Sequence, residues 1–204
     1  GVVVVATSNR VPDDLYKDGL NRQLFLPFIA MLKEQLDILH LDGGRDYRLE
    51  RLAENLVYFA PLDDHAASEM DRIFEELTEG REIVPQTLTT QGRDLTIERT
   101  ARGVARVSFE ELCARALGAS DYLTLTEHFH TLLLENVPQL SPARRNESKR
   151  FVTLIDILYE AKTNLVISAE VPAEALYPEG DGSFEFARTV SRLMEMRSED
   201  YLKG

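Results

Sequence analysis

Asn9 closes a run of β-branched residues, Val2 to Ala6, followed by Thr7 and Ser8. An Asn at the end of a buried strand donates and accepts hydrogen bonds from a fixed position, which suits orienting a water toward a phosphate. The same residue type is also a common turn former. What favours chemistry is its combination with the run Gly19-Leu20-Asn21-Arg22-Gln23-Leu24-Phe25-Leu26-Pro27-Phe28-Ile29. There an arginine, Arg22, stands beside a Gly-Leu step and shortly before a Phe-Leu-Pro segment that anchors it.

Other constellations carry less. His128-Phe129-His130 places two imidazoles two residues apart, on different faces of a helix, with no metal-ligand partner at i+4. No Gly-x-Ser-x-Gly elbow marks a nucleophile. Cys113 is the single cysteine, which excludes an intrachain disulfide and a thiolate zinc site and fits a reducing compartment. Arg144, Arg145, Lys149 and Arg150 form the one basic cluster, readable as a solvated helix start paired to Glu147 or as a protein interface.

The elements that position these residues read as α/β. Val2 to Ala6 has the pattern of a strand buried on both faces of a parallel sheet, with Thr7 to Arg10 beyond its carboxyl end, where such sheets bind ligands. Pro12 starts a helical turn, Gly19 breaks it, and Leu20 to Leu36 keeps helical spacing around a kink or restart at Pro27. Asp37 to Leu41 reads as a short strand. Ala66 to Leu77 is amphipathic. Ile83 to Phe109 reads as a small β insert with turns at Gly92 and Gly103. Glu110 to Ala116, Ser120 to Leu134 and Glu147 to Ala161 have helical patterns, Leu165 to Ala169 a strand pattern, and Phe184 to Tyr201 closes the chain as a charged helix.

These elements divide the chain into an end of a nucleotide-binding core (1–45), a helical connector (46–80), a β insert (81–109) and a helical or α/β region (110–204). Val166 to Tyr177 echoes Val5 to Tyr16 in its order of strand, small polar residues, Val-Pro and Leu-Tyr. Two similar Pro turns or an old duplication both account for that echo.

The 204 residues carry 35 Asp plus Glu against 23 Lys plus Arg, a net charge of −12. So negative a surface repels phosphates unless bases gather locally, which argues against general nucleic-acid binding. At 44% hydrophobic residues a packed core is expected, and no apolar stretch approaches the ~20 residues of a membrane span. The opening Gly-Val-Val-Val-Val-Ala starts in mid-strand and lacks a signal-peptide pattern, as though taken from a longer chain.

Ala6-Thr7-Ser8-Asn9-Arg10, Pro12-Asp13-Asp14-Leu15-Tyr16 and Gly-Leu-x-Arg-x-x-Phe-Leu-Pro-Phe-Ile resemble the AAA+ ATPases of the ZapE and AFG-one-like type. The likeness continues through Gly103 to Arg106, Leu117 to Leu123, Phe129 to Thr131, Arg145 to Glu147, Arg150 to Asp156 and Ser191 to Leu193. The resemblance implies the C-terminal part of a P-loop AAA+ core. Asn9 is then a sensor that positions the hydrolytic water, and Arg22 an arginine finger reaching the γ-phosphate bound by a neighbouring subunit. A surface ion pair to Asp18 is the structural alternative for Arg22. Arg188 and Arg192, four apart on one helix face, are candidates for a second, lid-borne sensor of nucleotide, or for pairing with Glu185, Glu195 or Glu199.

The family requires ATP and magnesium, oligomerises, and works on protein partners, in bacteria those of the division machinery. The cytoplasm is its bacterial location and the mitochondrion that of its eukaryotic branch. The present residues depart from the pattern in one respect. No Gly-x-x-x-x-Gly-Lys-Ser/Thr loop and no apolar strand ending in Asp-Glu occurs among them. The expectation is therefore an ATPase portion that is inactive alone, or, in the alternative, a non-catalytic interaction module built on Ile83 to Phe109.

Overall fold

The computed structural model describes residues 12–15, 22–36, 38, 57–178 and 183–202. Asn9, Asp18 and the strands expected at Val2 to Ala6 and Asp37 to Leu41 lie outside these residues. The chain divides into two compact units, 1–45 and 46–204. In the first, Pro12–Asp14 forms a 3₁₀ turn and Arg22–Gln35 the helix α1, which runs through Pro27 as one span.

The second unit is α/β. Its strands are β1 (Tyr58–Phe59), β2 (Val84–Thr90), β3 (Arg93–Ala101), β4 (Val104–Ser108), β5 (Thr131–Val137) and β6 (Asn164–Ala169). They form one sheet in the order β1-β6-β5-β4-β3-β2. The β1–β6, β6–β5 and β5–β4 pairings are parallel, whereas β2, β3 and β4 follow one another antiparallel. The helices are α2 (Asp64–Thr78), α3 (Ala119–His128), α4 (Arg145–Glu160), α5 (Ser183–Met196) and α6 (Glu199–Leu202).

Alternation along β5 shows how the sheet is covered. Leu132 and Leu134 join a core with Phe151, Leu154 and Leu158 of α4 and Phe186 and Leu193 of α5. Leu133 points the other way, to Met70, Ile73, Phe74 and Leu77 of α2. A strand buried on both faces carries a continuous apolar run, and such a run cannot be told from a buried helix by its pattern alone. That ambiguity explains one correction: Ser120 to Leu134 is not helical throughout. The helix ends at His128, and Thr131 to Leu134 is strand.

The β segment expected at 81–109 joins the same sheet: β4 pairs with β5 in parallel and carries the β2–β3 hairpin on its far side. Similarly, the stretch expected as a helical connector contains β1, which pairs with β6. The echo between the two Pro segments extends to conformation. Leu15 N–H bonds to the Pro12 oxygen at 3.2 Å, and Ala175 N–H to the Pro172 oxygen at 2.9 Å, each closing a 3₁₀ turn.

Local chemistry sets the helix ends. The Asp63 carboxylate accepts from Ala66 N–H at 2.8 Å and caps α2, which ends on Glu79 and Gly80 in the left-handed region. The hairpin turns are Gln91-Gly92 and Arg102-Gly103, both residues of each at positive φ, as two-residue type I′ turns require. Gly103 meets a second constraint. A Cβ there would lie 2.8 Å from His130 Cδ2, and the His130 ring is held by the Arg102 carbonyl and the Thr131 hydroxyl, both at 2.9 Å. A Cβ on Gly92 would meet nothing within 4 Å.

Gly92→Ala is therefore expected to cost about 1 kcal/mol from backbone strain, and Gly103→Ala about 2 kcal/mol or more. Equal thermal midpoints for the two variants would refute the clash with His130.

Candidate functional site

Arg22 is the first residue of α1, so its side chain emerges from the helix start. Its Nη2 donates to the main-chain oxygen of Asp13 at 2.6 Å. The Asp13 carboxylate is engaged by Lys33, whose Nζ approaches its oxygens at 2.8 and 3.0 Å. The 3₁₀ turn is thus fastened to α1 at both ends, and a carbonyl dipole fixes one edge of the guanidinium. Arg22 Nε is buried and has no hydrogen-bond partner among the described residues. A planar guanidinium with one Nη anchored is held in a fixed orientation at the helix start.

Along the same helix Leu24 is 82% exposed, with Phe28 and Met31 following at helical spacing and also exposed. The Phe25 and Phe28 ring centroids are 5.1 Å apart.

Arg188 and Arg192 lie on α5 in the second unit, and each pairs across to α4. Arg188 Nη2 donates to Asp156 at 2.6 Å. Arg192 lies 2.5 Å from the other Asp156 oxygen, bonds Glu160 at 2.8 Å, and stacks over the Tyr159 ring with 4.7 Å to the centroid. Two acids four apart on α4 meet two arginines four apart on α5. The arginine spacing alone could suggest a cross-helix clamp, but the partner helix could not be read from it. Arg188 is 60% exposed and Arg192 only 18%.

The remaining candidates take structural places. His128 Nδ1 lies 2.8 Å from the Thr124 carbonyl oxygen, and His130 spans the β3–β4 turn as described. Among the described residues no group of His, Cys, Asp and Glu could hold a metal ion. Cys113 is fully buried, and burial pushes its thiol far above the ordinary range, so it supplies no thiolate. In the basic cluster Arg144 pairs with Glu147 at 2.6 Å and lies over Phe109, and Arg150 donates to the Cys113 carbonyl at 2.9 Å. Arg145 and Lys149 are exposed.

Pattern reading missed one charged network. Arg106 and Glu135, 10% and 12% exposed, pair at 2.5 Å under α2, with Arg99 also on Glu135 and Asp71 on Arg106 at 2.6 Å. The sheet register sets these side chains near one another across β3, β4 and β5, a non-local relation with no signal in spacing. Among the described residues, no helix is long and apolar enough to cross a membrane.

A family model described as AFG1-like ATPase matches residues 1–204. The chain is 40% identical over 203 residues to the cell division protein ZapE of Escherichia coli (strain K12), a match covering 100% of this chain and 54% of that protein. It is 37% identical over 236 residues to lactation elevated protein 1 homolog B of Danio rerio, covering 98% of this chain and 47% of that protein. The chain spans about half the length of these curated relatives. No solved structure matches it significantly.

Proposed function

Since the chain belongs to the AFG1-like ATPase family, we propose that it is the part of a ZapE-like ATPase that completes, rather than cradles, the nucleotide site. The observation that carries this reading is Arg22, at the start of α1 in the Gly-Leu-x-Arg segment, with its Nη2 anchored on the Asp13 carbonyl. Negative charge spreads over the phosphoryl oxygens as the γ-phosphate transfers, and a planar, permanently charged guanidinium stabilises it. Asn9 orients the attacking water in this reading, by family resemblance. Arg22 reaches a nucleotide held by a second subunit, and the exposed apolar face of α1 around Leu24, Phe28 and Met31 supports a contact with another protein surface.

The family implies ATP and magnesium. The Arg22 guanidinium fits the anionic part of that pair. The described residues offer no metal-ligand group, so no step is assigned to the metal. Sensing of nucleotide from the second unit falls to Arg188 or Arg192, and Arg188, with one carboxylate partner among the described residues and the greater exposure, gives up less to turn toward a phosphate. Turnover drives remodelling of protein partners, with the division machinery as the bacterial setting and the cytoplasm as its location.

The test is a comparison of steady-state ATP hydrolysis. The 204-residue chain is expected to show none above buffer, and a protein of the relatives' length carrying it is expected to turn over ATP. Normal turnover by the 204 residues alone would sink the assignment.

A further inference from the structure

Arg22 and Lys33 stand eleven residues apart on α1, about three turns of 3.6, so both side chains leave the helix on one face. They converge on a single residue of the 3₁₀ turn. Arg22 Nη2 donates to the Asp13 main-chain oxygen at 2.6 Å, and Lys33 Nζ donates to the two Asp13 carboxylate oxygens at 2.8 and 3.0 Å. The Asp13 carboxylate is therefore one short side chain away from the guanidinium that its own carbonyl holds.

Two attractions draw that carboxylate toward Arg22. A guanidinium takes a carboxylate through paired N–H donors, and such charge-assisted bonds are stronger than a bond to a neutral carbonyl. The start of α1 adds the positive end of the helix dipole, and the first turn of α1 carries no acid to offset it. Arg22 is also half-buried, which strengthens a pair formed there, whereas Lys33 and Asp13 are 47% and 68% exposed.

What opposes the capture is Lys33. It stands in the last turn of α1, at the negative end of the dipole, where a cation is favoured, and it engages both carboxylate oxygens. An ion pair so exposed adds little to stability, so the fold has small need of it. An arginine finger has a larger need, because a carboxylate on the guanidinium cancels the charge that meets the phosphoryl oxygens.

We propose that Lys33 is a positioning residue for Arg22: it holds the Asp13 carboxylate off the guanidinium and so leaves the finger's charge to the phosphate. This inference rests on the finger reading of Arg22. Lys33 acts only through Asp13 and touches no nucleotide.

Two measurements test it. In the 204-residue chain with nitrogen-15 in its arginines, the Nε–H signal of Arg22 is identified by its loss in Arg22→Lys. Lys33→Met is expected to move that signal as the carboxylate arrives, and adding Asp13→Asn to return it to the parent position. In a protein of the relatives' length, Lys33→Met should lower kcat about fivefold with KM little changed, while Asp13→Asn stays near the parent and the double variant recovers. Lys33→Arg should keep the parent rate. Recovery is the discriminating result, since a brace that merely steadies the turn is broken by either single change and is not mended by both. It also excludes unfolding as the cause of the loss.

An Arg22 signal that stays in place in Lys33→Met, or a double variant as slow as Lys33→Met, would overturn the inference. Arg22→Ala in the same assay keeps the two claims apart. If it turns over ATP at the parent rate, the finger reading fails and Lys33 has no finger to protect. If it is slow and Lys33→Met is not, the inference alone fails.

Discussion

Arg22→Ala in a protein of the relatives' length is expected to lower the rate of ATP turnover by roughly 10³-fold or more, within the range such fingers contribute. Loss at this position should appear in kcat, with little change in KM, because the guanidinium is matched to charge that develops only in the transition state. Arg22→Lys should recover little. A lysine keeps the charge but not the planar fork, one edge of which is bound to the Asp13 carbonyl at 2.6 Å. Asp13→Ala gives a useful contrast. It removes the carboxylate that holds Lys33 but keeps the carbonyl that holds Arg22, so its effect on turnover should be far smaller. Similar kcat values for parent and Arg22→Ala would assign Arg22 to structure alone.

The second large effect concerns stability. Glu135→Ala is expected to destabilise the second unit by about 3 kcal/mol, because it strands Arg106 in a site only 10% exposed. Arg106 would retain Asp71, itself 71% exposed, and the face of Phe74 with 5.6 Å to the ring centroid, neither of which replaces a buried carboxylate. Replacing the pair together, Arg106→Met with Glu135→Leu, should restore most of the loss, since a buried ion pair contributes less than breaking it costs. Urea unfolding of the three variants decides the matter. A Glu135→Ala loss under 0.5 kcal/mol, or a double variant weaker than the single, would mean that the network is only a surface ornament of the sheet.

Local chemistry was legible in the sequence and non-local pairing was not. Gly92 and Gly103 announced turns because only glycine takes positive φ without strain, and both stand in the two-residue turns of β2–β3 and β3–β4. The α4 and β6 segments followed from their apolar patterns, Phe151 to Leu158 at helical spacing and Leu165 to Ala169 unbroken. Thr131 to Leu134 misled because a run of leucines favours a helix on propensity, whereas burial between α2 on one side and α4 on the other makes it strand. That β4 to β2 extend the same sheet depends on the pairing of Val104 to Ser108 with Thr131 to Glu135, which no local window contains.

The candidate site divides in the same way. Arg22 was visible through its Gly-Leu-x-Arg setting, and its anchorage to Asp13 lies only nine residues away. Partners of Arg188 and Arg192 lie 32 residues away on α4, beyond the reach of spacing on a single helix.

The claim on which the rest depends is that Arg22 acts on nucleotide held by another subunit. It is tested most directly by mixing Arg22→Ala subunits with subunits whose phosphate loop is disabled, each inactive alone, and measuring ATP hydrolysis in the mixed assembly. Restored turnover that rises with the fraction of mixed contacts is the expected outcome, since each subunit supplies what the other lacks. A verified mixed assembly with no restored turnover would contradict it.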